Sequence, residues 1–562
     1  MRLPIALLFA ALFTFAACRT TAPTAPDAGG LDRALAAIDS ATLARHIAEL
    51  ASDRYEGRGT GTRGEQLAVE YIANQMRAAG LEGGMPDGSF FQPVPLRGTT
   101  PVETGDLVFT PASGEPLRLR FVDDFIATTD LETDRAAWDN AELVFVGYGI
   151  TNPGYQWDDY KGVDVRGKVV VSFVNDPPAT PAEPNLFQAD TLTYNGRWTY
   201  KYEEARRRGA LGMLLIHTEP TASYPFTVLS GDARGEAFSV VEPPEGALAL
   251  RGWITQQSAE RLAQLSGTTL DAWFAAAAQR DFQPQPLPVR ASLAMTFESR
   301  RGVTGTNVVG VLRGSSRPDE AIVYTAHHDH LGMNEELIAQ GRDGIFNGAV
   351  DNASGVSMML EIAQAFASLP ARPARSVYFL TLTAEESGLL GSAYYAQNPV
   401  VPLARTIANI NVDSGNLYGR TTDLSGIGAE RSEMIGLLRE AAAVEGMTVS
   451  PDLNPNAGRF FRSDQLAFAR GGVPAVFIGS GRQFVGRDEG YAQRMEQEYR
   501  QNRYHQPADE YDPAMPLGGL VQQTRVAFRL GHRLATTTLR PQWNPSEAFA
   551  ETRRQSEREA GM

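Results

Sequence analysis

From residue 307 onward, short and mostly apolar runs alternate with longer segments whose apolar residues recur every three or four positions, and no other feature constrains the fold as tightly. The runs 308–312, 321–325, 376–383, 407–412 and 475–478 lack the polar alternation of a half-exposed strand, so they read as strands buried on both faces. Residues 353–367 and 520–536 read as helices. Strands that need cover on both sides, interleaved with helices that can supply it, make a layered α/β domain with a mixed sheet and helices on both faces.

Upstream the texture differs. Helical periodicity runs over residues 41–50 and 65–79, ending at Gly80, and the segment between them, 56–64, is rich in glycine. That cluster follows no strand and is followed by no lysine or suitably spaced acid, so it reads as a structured loop and not as a nucleotide site. Residues 102–289 are short β-like runs broken by Pro and Gly, among them 143–149, 168–174 and 213–217, with a helix at 203–208. His217 closes one of these runs, where an isolated histidine reads as structural. The expected organisation is an N-terminal helical part at 31–101, a β-rich insertion at 102–290, an α/β catalytic domain at 291–540 and a charged, frayed tail at 541–562.

Residues 1–18 pair a short basic start with an apolar run too short to span a bilayer, the pattern of an export signal. Phe15-Ala-Ala-Cys18 resembles a bacterial lipobox, in which the cysteine is lipidated. Cys18 is the one cysteine of the 562 residues, so it forms no internal disulfide and reads as a membrane anchor, with 19–30 as a flexible tether. Arg19 stands where the aspartate associated with inner-membrane retention would be, which favours the outer membrane; the alternative is a periplasmic or secreted form. Against 66 acidic residues stand 51 basic ones, a formal net charge of -15 with no basic block, which excludes nucleic acid as the expected partner.

Five polar clusters fall where the apolar runs end or a helix opens: Ala326-His-His-Asp-His-Leu-Gly332, Val350-Asp-Asn-Ala-Ser-Gly355, Thr383-Ala-Glu-Glu-Ser-Gly388, Asn411-Val-Asp413 and Tyr504-His505. Ligands of open α/β sheets bind beyond the carboxyl ends of the strands, so this placement suits chemistry. Histidines and carboxylates without a thiolate suit zinc, and a spare carboxylate able to bridge makes a metal pair natural. Of the adjacent acids Glu385 and Glu386, one can ligate while the other accepts a proton from water.

Together with Arg462-Ser-Asp464, these motifs resemble the co-catalytic zinc aminopeptidases, relatives of glutamate carboxypeptidase and the transferrin receptor, over about residues 307–534. The β-rich segment resembles their protease-associated insertion, through a Gly-Lys-Val-Val-Val strand and a Gly-Ala-Leu-Gly-Met-Leu-Leu-Ile run. The resemblance implies the zinc exopeptidase fold and two Zn2+ ions, one held by His327 and Asp413, the other by Glu386 and His505, with Asp351 bridging. It implies Glu385 as general base toward a metal-bridging hydroxide, Asp329 as the group orienting His327, and Tyr504 as donor to the oxyanion. His328 and His330 match positions that are not ligands, and Gln465 stands where relatives often carry His. The expected substrates are peptides cleaved at the N-terminus. The alternatives are a carboxypeptidase, kept open by Arg459 and Arg462, a glutaminyl cyclase-like transferase, and a metal-free receptor-like scaffold. The oligomeric state is not legible.

Overall fold

The computed structural model describes residues 28–562 apart from 190, 232, 242, 243 and 453. The export signal, Cys18 and most of the expected tether lie outside the described residues. Helix α1 (Ala28–Ala37) already begins within the last three positions assigned to that tether. It is followed by α2 (Ser40–Leu50), capped by the Asp39 carboxylate on the Ala41 and Thr42 amides, and by α3 (Arg63–Ala78), capped by Thr62. Gly80 ends α3 in a left-handed conformation, φ 89°, with its N–H on the Arg77 carbonyl.

The sheet that carries the polar clusters is built from β1 (Gln285–Leu312), β2 (Arg317–His327), β3 (Arg375–Leu382), β4 (Thr406–Asn411), β5 (Asp423–Ile427) and β6 (Ala475–Gly479). Its spatial order is β1-β3-β2-β4-β6-β5. The four strands β3, β2, β4 and β6 run parallel, and β1 and β5 lie antiparallel on the two sides. The chain leaves β2 to one side for β3 and to the other for β4, so the order reverses at β2 and a crevice opens at its carboxyl end. His327 is the last residue of β2, and the acids at 385–386 and 413 follow the ends of β3 and β4.

Side chains along each strand alternate between two cores, as a period of two requires. Ile322, Tyr324, Val377 and Phe379 pack with α1, α2, α3, α4 (Ser354–Ala367) and α6 (Gly518–Thr536). Val323, Val311, Tyr378 and Leu380 pack on the opposite face, against Tyr395 of α5 (Leu390–Gln397) and Phe468. This double cover is why the strands read as unbroken apolar runs.

Residues 107–297 hold a separate apolar core, which includes Phe109, Trp138, Phe145, Leu214 and Trp273. There the strands 143–145, 169–171, 212–216 and 250–254 lie side by side in parallel. The long strand β1 joins the two bodies: residues 285–296 pair with strands of the β-rich body and 308–312 with β3.

The expected frayed tail is corrected. Residues Phe549–Glu559 form α7, and Phe549 and Ala550 join an apolar cluster with Trp543, Phe460 and Phe461. Arg553 on that helix is buried and donates to the Leu403 and Thr406 carbonyls at 3.0 and 3.1 Å while pairing with Glu557. A charged stretch looks solvated in sequence, yet one arginine that finds backbone acceptors and a carboxylate can be buried with its helix.

Candidate metal centre

The crevice gathers residues that are far apart in the chain. His327 is fixed by the end of β2 and donates through Nδ1 to the Asp329 carbonyl at 3.2 Å, leaving Nε2 aimed inward. That Nε2 lies 3.2 Å from Asp351 Oδ1 and 3.4 Å from Asp413 Oδ1. On the far side, His505 Nε2 lies 3.5 Å from Asp351 Oδ2 and 3.1 Å from Glu386 Oε2. Asp351 thus turns one oxygen toward each of two donor pairs, His327 with Asp413 and Glu386 with His505.

Backbone and side-chain contacts fix each of these groups. Asp351 lies at the entrance to α4, and its N–H and that of Val350 donate to the buried Asp509 carboxylate at 3.1 Å. Asp413 Oδ2 accepts from Ser463 Oγ at 2.6 Å, and Asn411 Nδ2 donates to that hydroxyl and to Gln465 Oε1, both at 2.8 Å. Gln465 is therefore part of the buried frame under Asp413 and not of an exposed substrate wall. Tyr504, 43% exposed, stacks on the His505 ring at 3.9 Å between centroids.

Two expectations change in detail. The Asp329 carboxylate stands 3.8 Å from His327 Nδ1, and its oxygens accept instead the N–H groups of Glu385 and Glu386 at 3.1 and 3.3 Å. Asp329 orients His327 through its carbonyl and the Glu385–Glu386 turn through its carboxylate. His330, expected to serve packing, is buried and donates through Nδ1 to Glu386 Oε1 at 2.6 Å, so it occupies the oxygen that His505 does not face. His328 lies 3.5 Å from the buried Glu65 carboxylate. Glu65, Arg58 and Asp509 were not singled out in the sequence, although the glycine cluster flanks two of them.

The electrostatics are those of a cation site. Burial raises the Glu385 carboxyl well above its ordinary range, and Asp413, Glu386 and Asp464 add to the rise against the pull of His327. Burial alone would lower His505, but Glu386 and Asp351 hold it up to about 11. The histidine protons here do what a divalent ion would do, which is to offset crowded carboxylates.

Ligand atoms of His327, Asp351 and Glu386 lie within 4.8 Å of one another, as do those of His327, Glu385 and Asp413. Donors ~2.0–2.1 Å from a tetrahedral ion are spaced about 3.3 Å apart, which the 3.1–3.5 Å separations above match. His505 Nε2 is buried and has no aligned hydrogen-bond partner. The nitrogen and oxygen donors present fit a pair of zinc-like ions.

The β-rich body reaches the same crevice. Arg197, at the start of the helix Trp198–Arg207, feels the Glu385 charge, and burial lowers it to about 10, helped by the neighbouring Arg462. The Nε of each arginine is buried without a hydrogen-bond partner, while Arg462 Nη2 donates to Ser223 Oγ at 2.8 Å. His217 accepts its structural reading: its Nε2 contacts the Tyr224 carbonyl at 3.0 Å.

Residues 307–527, which include His327, Asp351, Glu385, Glu386, Asp413 and His505, match the family model described as Peptidase family M28. The chain is 27% identical over 201 residues to Aminopeptidase NAALADL1 of Mus musculus, covering 34% of this chain and 25% of that protein. It is 32% identical over 162 residues to a protein of Pyricularia oryzae named Probable zinc metalloprotease, covering 28% of this chain and 27% of that one. The matched segments thus span about a quarter of the length of these curated relatives. Among solved structures, the Aminopeptidase from Aneurinibacillus sp. strain AM-1 is similar with a TM-score of 0.50 at 18% identity, covering 91% of this chain and 97% of that chain. That likeness establishes a shared mixed α/β fold.

Proposed function

We propose that this chain is a zinc-dependent exopeptidase that removes N-terminal residues from peptides. The observation that carries the reading is Asp351 turning one oxygen to His327 and the other to His505, with Asp413 and Glu386 completing the two donor pairs. The match to peptidase family M28 and the printed names of the relatives support it. Zinc held by these residues supplies a Lewis acid for the scissile carbonyl and lowers the pKa of water toward ~7.

Glu385 is half-buried beside that set, and no described side chain hydrogen-bonds to its carboxylate. It takes the proton from the attacking water and returns it to the leaving amine. Asp329, by holding the Glu385 and Glu386 amides, fixes the base relative to the ligand. Tyr504, steadied by its stack on His505, is the donor we assign to the developing oxyanion. The excess of carboxylates attracts a cationic α-amine, and this selects the N-terminus.

One observation favours a second reading. Arg197 and Arg462, each with an unsatisfied Nε, offer a pocket for a carboxylate at the same crevice, as a carboxypeptidase requires. Short peptides with free or acetylated N-termini, and with free or amidated C-termini, decide between the two. Release of amino acids from free N-termini alone, abolished by chelator, is the expected result. Cleavage indifferent to acetylation but blocked by amidation replaces it with the carboxypeptidase. A pyroglutamyl product identifies a cyclase, and protein that binds no metal and cleaves nothing identifies a scaffold.

We place this activity at the bacterial cell envelope, anchored through Cys18, on the support of the basic start, the apolar run and the lipobox-like Phe15-Ala-Ala-Cys18. Incorporation of labelled palmitate that survives Cys18→Ser would refute the anchor.

A further inference from the structure

The glycine cluster at 56–64 has no part in the reaction described above, yet it lies directly beneath the ligand loops. Gly57 sits at φ 65°, where a Cβ would come 2.2 Å from the Gly332 carbonyl oxygen, so a side chain there would push the two loops apart. The Gly332 N–H donates to the Gly57 carbonyl at 3.0 Å, the His330 N–H donates to the Arg58 carbonyl at 3.2 Å, and Gly59 pairs with His330 as a parallel bridge. The segment is thereby laced to the chain that follows His327.

Its one charged side chain at the centre, Arg58, is 1% exposed and makes no ion pair among the described residues. It donates only to backbone carbonyls: Nε to His328 at 2.8 Å, Nη1 to Leu50 and Asn347 at 2.6 Å each, and Nη2 to Gly348 at 3.0 Å. Three of these acceptors belong to the two loops, His328 to the one carrying His327 and Asp329, and Asn347 and Gly348 to the one leading into Asp351. The fourth, Leu50, ends the helix α2. Asp351, Asp329, Asp509 and Glu386 all act on the Arg58 charge at longer range, against a burial that lowers it to about 10. Beside it, Thr60 Oγ1 donates to Asp329 Oδ2 at 3.3 Å, the oxygen that also receives the Glu386 N–H.

We propose that Arg58, assisted by Thr60, is a positioning residue of the metal centre: it ties the His328 and Gly348 carbonyls to the N-terminal helices, and so sets the distance between the His327 and Asp351 loops. The glycines around it exist to let this arginine reach both loops at once. A guanidinium suits the place because its planar fork spans acceptors from three separate segments, which an ammonium cannot do with fixed geometry. Its charge also acts at longer range on the carboxylates of Asp351, Asp329, Asp509 and Glu386, which outnumber the cations near them. The inference rests on the metal-site reading above, and it concerns residues outside the matched segment 307–527.

The test compares wild type with Arg58→Lys, Arg58→Gln and Thr60→Val, and uses Arg54→Gln, a 67% exposed neighbour, as control. For each, zinc affinity is measured by titration, the visible spectrum of the Co2+-loaded protein is recorded, and melting temperature is read with metal and with chelator. Arg58→Gln is expected to weaken metal binding roughly 10- to 100-fold, Arg58→Lys and Thr60→Val less, with altered Co2+ spectra. The stabilisation gained on adding metal shrinks in step with affinity. If instead the metal-loaded and chelated forms lose melting temperature equally, with affinity and spectrum unchanged, Arg58 merely supports the fold and the proposal is overturned. Thr60→Val keeps the question open to measurement should the arginine variants fail to fold, since an unchanged affinity and spectrum there also overturns it. Wild type that takes up no metal sinks both this inference and the proposed function, whereas metal uptake without peptide cleavage sinks the proposed function alone.

Discussion

Two of the buried clusters of ionisable groups, one in each body, are built on opposite terms. In the β-rich body Lys201 is fully buried and donates to the Asn175 carbonyl at 3.0 Å. Burial lowers this lysine, and Asp176 and Asp159 push it back up. Asp159 accepts from the Ile150 N–H and Trp157 Nε1 at 3.0 and 2.7 Å, and Asp176 accepts from the N–H and hydroxyl of Thr193 at 2.7 and 2.9 Å. That cluster carries its own countercharge and satisfies its own acceptors. At the carboxyl ends of β2, β3 and β4, by contrast, carboxylates outnumber the cations near them, and both Asp464 oxygens and His505 Nε2 have no aligned hydrogen-bond partner. A buried cluster complete in itself is architecture; one completed only by something from outside is a site.

The largest effect that tests this contrast is on the reaction. Glu385→Gln is expected to lower kcat by roughly 10^2 to 10^4 at unchanged metal content, since general base catalysis is worth that much. Lys201→Met is expected to leave kcat per folded molecule as it is. A fully active Glu385→Gln enzyme would remove the chemical half of the comparison. Next in size, Lys201→Met leaves the buried Asn175 carbonyl without its donor and Asp159 and Asp176 without a nearby cation, and urea denaturation should report a loss of about 3 kcal/mol. Neutral behaviour there would mean that the β-rich cluster is not held by its own charges.

Removing metal should cost a comparable amount for each ion. At a metal concentration a hundredfold above Kd the bound ions contribute about 2.7 kcal/mol per site, so a chelated sample should melt at a lower temperature. The decrement should be the same in wild type and in Lys201→Met, because the clusters lie in different bodies and share no partners. A decrement that vanishes in the lysine variant would show the two to be coupled.

The smallest effect concerns a pair of intermediate kind. Glu361 on α4 faces His46 Nε2 at 3.7 Å, and burial, then Asp39, raises its carboxyl to about 7, with Arg45 opposing. The folded protein holds a proton that the unfolded chain releases near pH 4.5, so this group's stabilising contribution is present at low pH and lost as pH rises toward 7. Glu361→Gln should therefore raise the melting temperature at pH 8 and not at pH 4, by an amount equivalent to about 1 kcal/mol after solvent screening. Equal melting shifts at both pH values would contradict the raised carboxyl.

Much of this was legible before any coordinates. The strands β2, β3 and β4 announced themselves because burial on both faces leaves no room for polar alternation, and the polar clusters were visible because they interrupt that pattern where strands end. A local signal also gave the Gly80 end of α3. What escaped was polarity whose meaning is tertiary. Arg58 and Arg553 look like surface charge in sequence and are buried, because their acceptors are carbonyls contributed by segments up to 290 residues away. Asp509, four residues beyond His505, resembles a loop acid until the Val350 and Asp351 amides are found against it. That Asp329 meets the His327 ring through its carbonyl and the Glu385 and Glu386 amides through its carboxylate depends on how the turn after β3 packs.

The sequence by itself determined the layered α/β architecture and the kinds of donor available at the strand ends, because burial and residue chemistry are written position by position. Only the tertiary structure decided which oxygen of Asp351 meets which histidine, which groups hold the ligands in place, and that a glycine-rich loop 270 residues before His328 braces the loops that carry them. Distances of 3 Å between such remote residues follow from how helices and strands pack, and that packing is a property of the whole chain and not of any segment of it.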